Sequence, residues 1–184
     1  MNELTNKLTS DVPLDLLRSR IRDVPDFPKP GIVFKDITPL LNDPKAFRAV
    51  IRTLAKETES LGIDRVVAIE SRGFIFGSAL AYELGTGLSI VRKPKKLPFR
   101  TTKIDYALEY GSDTLEMHVD SLDSRDRVLI VDDVLATGGT ARATAQLVEL
   151  MGAKVQALAF LLELSFLHGR EKLKGYSVRS VLEY

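Results

Sequence analysis

The stretch Arg127–Val131 (RVLIV) constrains the fold more than any other part of the chain. After its first residue it is apolar at every position, with no alternation. That pattern suits a strand buried on both faces of a sheet. Such strands belong to parallel sheets, whose neighbours are joined by crossover helices. Asp64–Ile69 (DRVVAI), Leu88–Arg92 and Val155–Leu162 are further short apolar runs, and helical patterns lie between them. One runs from Gly73 to Leu84. Another runs from Thr140 to Met151, with Ala143, Leu147, Leu150 and Met151 on one side and Gly152 as its stop. Earlier, Asp43–Pro44 offers a cap followed by proline at the first helical position. Phe47, Val50, Ile51, Leu54, Ala55 and Thr58 then share one helical face, and Gly62 closes the helix. The expected fold is α/β, a doubly wound and mostly parallel sheet flanked by helices. Ligands bind such sheets beyond the carboxyl ends of the strands.

The remaining segments carry weaker patterns. Leu14–Ile21 reads as a short amphipathic helix with Ser10 or Asp11 as candidate N-cap. Asp23–Gly31 contains Pro25, Pro28, Pro30 and Gly31, and reads as a stiff turn or a linker. Residues 93–113 are rich in charge and proline and lack a clear period, and Leu115–Val119 alternates weakly.

Composition narrows the function. Lys plus Arg is 26 and Asp plus Glu is 25, a formal net charge of +1. Such a chain has no global electrostatic reason to seek nucleic acid or anionic lipid, so neither is expected as a partner. The absence of cysteine excludes disulfides and thiolate zinc sites, and His118 and His168 are too few to suggest a metal cage. The N-terminus MNELTNKLTS lacks a hydrophobic signal core. The greasy stretch Val155–Leu164 carries Gln156 and Glu163 and is too short to span a bilayer. A cytoplasmic location is expected.

The residues after RVLIV carry the chemistry. The strand ends in Asp132 and Asp133, then comes the loop Ala136–Thr137–Gly138–Gly139–Thr140, then a helix. Gly138 and Gly139 allow backbone N–H groups to converge on a phosphate. The helix N-terminus adds unpaired donors and a favourable dipole. Thr137 and Thr140 add hydroxyl donors. Each hydrogen bond to a charged group is worth roughly 1.5–3 kcal/mol, so several together hold a phosphate firmly. No lysine succeeds the glycines, which argues against a nucleoside triphosphate loop and for a monophosphate. Carboxylates only accept hydrogen bonds, so the two acids suit hydroxyls or a hydrated Mg²⁺ beside the phosphate. A phosphate at one end and a diol about one sugar away describe a ribose 5-phosphate site.

This segment resembles the signature of the type I phosphoribosyltransferases. Four further segments resemble adenine phosphoribosyltransferases in order and spacing: Asp26–Asp36 (DFPKPGIVFKD), Ser71–Gly77 (SRGFIFG), Arg92–Pro98 (RKPKKLP) and Leu108–Gly111 (LEYG). The resemblance covers about residues 18–184. It implies one phosphoribosyltransferase domain over 1–184, with an N-terminal hood over about 1–36 and a mobile lid over about 97–115. It implies transfer of the phosphoribosyl group from 5-phosphoribosyl-1-pyrophosphate to adenine, with Mg²⁺ and in a homodimer. Val134 stands where leucine is common in the family, and Lys95 where glycine is frequent.

The same resemblance implies the residue roles. Ala136–Thr140 take the 5-phosphate, and Asp132 and Asp133 the ribose hydroxyls. Arg72, whose planar fork matches pyrophosphate oxygens, acts with Arg92, Lys93 and Lys96 on pyrophosphate. A cis peptide bond is implied at Glu70–Ser71. Backbone groups of Val33 and Lys35 read the adenine edge and Phe34 lies against the ring. Glu109 is the candidate acid–base group for the ring N–H that adenine loses, with Tyr106 and Tyr110 shielding the site as lid residues. Mg²⁺ is held mainly by substrate oxygens, with Asp132 or Asp133 as protein ligand. A relative that uses another base is disfavoured by the PGIVFKD and LEYG segments. A nucleic-acid-binding regulator on this fold is disfavoured by the net charge.

Overall fold

The computed structural model describes residues 13–107 and 111–184. The chain divides into two compact units, residues 1–53 and 54–184. In the first, α1 (Leu14–Ser19) starts after Pro13, which makes no side-chain cap; the candidate caps Ser10 and Asp11 lie outside the described residues. Ile21 falls beyond the helix end. The proline-rich stretch is neither linker nor plain loop. β1 (Arg22–Pro25) pairs antiparallel with β2 (Val33–Asp36), and the prolines sit at the end of β1 and in the turn between the strands, where Phe27–Pro28 is cis and Gly31 has φ 84°. The short helix α2 (Thr38–Asn42) has no clear periodic signal in the sequence. α3 (Pro44–Thr58) begins as its sequence predicts. Asp43 Oδ1 accepts from the N–H groups of Lys45 at 2.9 Å and Ala46 at 3.2 Å. Ala46, Val50, Ile51, Leu54 and Thr58 are its buried residues.

The second unit is built on a five-stranded parallel sheet. Its elements are β3 (Arg65–Ile69), α4 (Gly73–Leu84), β4 (Gly87–Val91), β5 (Thr101–Ala107), β6 (Ser112–His118), β7 (Arg127–Leu135), α5 (Gly139–Leu150), β8 (Lys154–Glu163), the short α6 (Gly169–Lys172) and β9 (Val178–Glu183). The sheet order is β4-β3-β7-β8-β9. Val128, Leu129, Ile130 and Val131 of β7 are all fully buried, each worth roughly 1.5–3 kcal/mol against exposure. Strand alternation divides the layers. Val67 and Ile69 of β3 share a core with Leu147 and Val148 of α5. Ala68, on the opposite face, meets α4 at Gly77, where a Cβ would collide with its methyl group. The sheet is therefore covered on both faces, as expected for a doubly wound fold.

The order reverses between β3 and β7, because β3 leads through α4 to β4 on one side and β7 leads through α5 to β8 on the other. That reversal is where such sheets bind ligands. Part of the patternless region is ordered: β5 and β6 form an antiparallel hairpin with Ala107 opposite Ser112. Ile104 and Tyr106 pack partly against the α5-side core, and Leu115 and Met117 are buried within it. Charged and hydroxyl residues on the other face hide this alternation in the sequence.

Candidate active site

At the reversal, β7 outruns β3. The β3 pairing stops at Val131, while the β8 pairing continues to Leu135. The freed end of β7 and the N-terminus of α5 enclose a pocket lined by Asp132, Val134 and residues 135–141. Gly138 has φ 76°, in the left-handed region, and immediately precedes the first turn of α5. A Cβ there would strike the carbonyl oxygen of Gly169, and a Cβ on Gly169 would strike that of Ala136. Two glycines distant in sequence thus let the α6 turn pack directly on the back of the loop. Sequence reasoning misses Gly169 as a site residue; a single glycine beside an arginine gives no local signal of this contact.

The paired acids behave differently. Asp132 lines the pocket, and its side chain accepts from the Asp133 N–H at 2.9 Å. Burial pushes the Asp132 carboxyl well up from its ordinary range, and the neighbouring Asp133 carboxylate pushes the same way. Asp133 is buried and forms an ion pair with Arg72. Gly73, next to Arg72, lets α4 approach: a Cβ there would sit 2.8 Å from Asp132 Oδ1 and 2.8 Å from the Val131 carbonyl oxygen. The Glu70–Ser71 peptide bond is cis.

The basic loop after β4 is gathered by one carboxylate, that of Glu70. Arg92 Nε donates to Glu70 Oε2 at 3.1 Å, the Lys93 N–H donates to the same oxygen at 3.0 Å, and Lys96 Nζ pairs with Oε1 at 2.5 Å. Burial pushes the Glu70 carboxyl up, but these three donors outweigh it and the net shift is downward. The sequence draws attention to the cations and not to the acid that collects them. The loop is also stitched to β6, since Arg92 and Glu116 exchange backbone hydrogen bonds of 2.9 and 2.8 Å. Lys95 has φ 67°, the left-handed conformation that a glycine adopts freely.

Lys93 reaches a second cluster. Its ammonium pairs with Asp113 and donates to Tyr106 Oη at 3.0 Å, and Tyr106 Oη lies 3.2 Å from Thr140 Oγ1 in the pocket loop. Burial would lower the Lys93 pKa, yet the hydrogen bonds to Asp113 and Tyr106 raise it overall. The structure therefore brings Arg72, Arg92, Lys93 and Lys96 into the same unit as Asp132, Asp133 and residues 136–140. Val33, Phe34 and Lys35 belong to the hairpin of the other unit. There the Phe34 ring lies edge-on to Phe27 at 5.2 Å, Lys35 Nζ pairs with Asp23 at 2.7 Å, and Val33 is exposed. Glu109 and Tyr110 lie outside the described residues. Among the described residues there is no cluster of three or more metal-ligating side chains, and no helix is long and apolar enough to cross a membrane.

Known proteins share both the sequence and this architecture. The phosphoribosyl transferase domain family matches residues 36–181. An adenine phosphoribosyltransferase of Anaeromyxobacter dehalogenans is 56% identical over 171 residues, covering 93% of this chain and 99% of that protein. The crystal structure of adenine phosphoribosyltransferase from Thermoanaerobacter pseudethanolicus superposes with a TM-score of 0.91 at 52% identity, covering 94% of this chain and all of that one. The enzyme of Saccharomyces cerevisiae, solved with adenine and an imino-altritol bisphosphate, gives a TM-score of 0.87 at 39% identity, covering 91% of this chain and 97% of that one. A match of this length, over a sheet whose reversal point carries two acids and a glycine-rich loop, fixes the assignment: the chain belongs to the adenine phosphoribosyltransferases.

Proposed function

We propose that this chain transfers the phosphoribosyl group of 5-phosphoribosyl-1-pyrophosphate to adenine with residues 136–140 as the seat of the 5-phosphate. The observation that carries the reading is the pocket at the N-terminus of α5, lined by Thr137, Gly138, Gly139 and Thr140 with Asp132 beside them. Asp132, at the pocket edge, takes the ribose hydroxyls. Asp133 holds Arg72, which with Arg92, Lys93 and Lys96 receives the departing pyrophosphate.

The reaction displaces pyrophosphate at the anomeric carbon through an oxocarbenium-like state. Preorganised charge at both ends of the sugar supplies most of the acceleration. Backbone groups of Val33 and Lys35 read the adenine edge against Phe34. Glu109, on a lid that includes Tyr110, accepts the ring N–H proton as the new bond forms, and closure of the lid over about 97–115 keeps water from the cation. The hood extends over about 1–36. A pocket lined by one carboxyl beside a phosphate seat suits Mg²⁺, a hard cation that keeps waters and substrate oxygens around it. Asp132 is the residue that would hold it, and it would neutralise pyrophosphate charge. The working form is a cytoplasmic homodimer, as the family resemblance implies.

The experiment is direct. Protein, Mg²⁺, the sugar pyrophosphate and adenine should yield AMP, and in competition adenine should be used ahead of hypoxanthine, xanthine and orotate. Glu109→Gln should cut turnover sharply while ribose 5-phosphate binding persists. Absence of AMP, or normal turnover of Glu109→Gln, contradicts the corresponding part of the proposal.

A further inference from the structure

The hydrogen bonds around Tyr106 have a direction. The Lys93 ammonium carries donors only, so the phenol oxygen accepts from it at 3.0 Å. That leaves the phenol one proton and two acceptors within reach: Thr140 Oγ1 at 3.2 Å and Asp113 Oδ2 at 3.4 Å. The phenol can donate to Asp113 Oδ2 only over the longer of the two contacts, and that carboxylate already takes the Lys93 ammonium on Oδ2 and the Thr114 N–H on Oδ1 at 2.8 Å, so the shorter contact to Thr140 Oγ1 decides the proton's place. Thr140 Oγ1 has a different need. If its own proton is to point at an anion in the pocket, its lone pairs are free to accept. The arrangement that serves both is Lys93 to Tyr106 to Thr140 to phosphate, every bond donated the same way.

Resting on the reading of residues 136–140 as the phosphate seat, we propose that Tyr106 is a positioning residue: its hydroxyl donates to Thr140 Oγ1 and so aims the Thr140 proton at the 5-phosphate. A chain of aligned donors starting from a cation polarises each member in turn, so the last hydroxyl is a better donor than an isolated threonine. The chain also joins two ends of the substrate site. Lys93 lies in the basic loop assigned to pyrophosphate, Thr140 in the phosphate loop, and Tyr106 on β5 spans them. The hydroxyl is the part that matters, since the Tyr106 ring packs against the core beside Ile104 whether or not it carries an oxygen.

Ribose 5-phosphate is the useful probe, because it has the phosphate and lacks pyrophosphate. Its dissociation constant, measured by calorimetry on the full chain, should rise about tenfold in Thr140→Val and about fivefold in Tyr106→Phe. The double variant should bind no worse than Thr140→Val alone, because the phenol acts only through that hydroxyl. Lys93→Met should also weaken ribose 5-phosphate binding, a few-fold and at high salt as well as low. In steady state, Tyr106→Phe should raise KM for the sugar pyrophosphate with little change in kcat. Thr140→Ser keeps the hydroxyl and should bind like the parent. Normal ribose 5-phosphate binding by Tyr106→Phe alongside weakened binding by Thr140→Val overturns the relay, as do losses that multiply in the double variant. Unchanged binding by Thr140→Val takes the Thr140 hydroxyl out of the phosphate seat and overturns the relay with it, while a crystal with AMP whose phosphate lies away from residues 136–140 overturns the seat itself. Should Tyr106→Phe fail to fold, Lys93→Met and its double variant with Thr140→Val decide by the same criterion.

Discussion

Arg72 and Asp133 form an ion pair across the point where β3 and β7 diverge, the guanidinium side chain 44% exposed and the carboxylate side chain 7%. The asymmetry of this pair matters more than its strength. A buried carboxylate cannot move far, so it fixes the direction of an arginine that is itself half exposed. If Arg72 receives pyrophosphate as proposed, this pair aims it in advance, which is how a preorganised anion site avoids reorganisation during reaction.

Asp133→Asn should therefore act through Arg72. Removing the charge takes away the buried anchor of the guanidinium, and half-exposure of the arginine limits the stability cost to about 1 kcal/mol. KM for the sugar pyrophosphate should rise about tenfold, while ribose 5-phosphate, which lacks the pyrophosphate, should bind nearly as before. Equal losses for both ligands in calorimetry would show that Asp133 acts on the sugar and not through Arg72.

The contact between the α6 turn and the phosphate loop predicts a second effect. Gly169→Ala places a methyl group against the Ala136 carbonyl, a backbone atom with nowhere to go. Overpacking of this kind costs about 1–3 kcal/mol. It should also displace the loop, so ribose 5-phosphate affinity should fall along with the melting temperature. Gly175→Ala, at a glycine with open space around it but φ 99°, is the control for backbone strain alone: it should lower stability and leave affinity intact.

The fold is legible in the sequence where burial is complete. β3, β4, β7 and β8 are short apolar runs between charged or glycine punctuation, and α3 announces its start through Asp43 and Pro44. The loop of residues 136–140 is legible because its glycines and threonines lie in one contiguous stretch between a buried strand and a helix. The β5–β6 hairpin is not, because only one of its faces meets the core and Lys103, Asp105 and Asp113 interrupt the apolar signal. Nor are the partnerships of the site. Glu70 with Arg92 and Lys96, Arg72 with Asp133, and Gly138 with Gly169 join residues far apart in sequence, and each depends on how strands are ordered in the sheet. Pro25, Pro28 and Pro30 conceal the β1–β2 hairpin by dominating the reading of their segment. Glu109 and Tyr110, recognised by resemblance, lie outside the described residues.

Asp132 gives stability a pH dependence of unusual sign. Its pKa is raised in the folded chain, by burial first and by Asp133 second. The folded state then binds the proton more tightly than the unfolded one, so this group's contribution to stability falls as pH climbs above the ordinary aspartate value of 3.8 toward the raised one. Asp64, held down to about 2 by Arg127, works oppositely: its stabilisation is present above 3.8 and is lost as pH falls toward 2. Asp132→Asn should remove the first effect only. The melting temperature of the variant should rise relative to the parent as pH increases from about 4 to about 8. A constant offset across that range would mean that Asp132 titrates normally.

A crystal grown with AMP tests the central claim most directly. The account predicts the phosphate at the N-terminus of α5, with the backbone N–H groups of residues 137–140 and the Thr140 hydroxyl within hydrogen-bonding distance and the ribose hydroxyls facing Asp132. A nucleotide bound with that loop empty, or with its ribose rather than its phosphate in the loop, would contradict it.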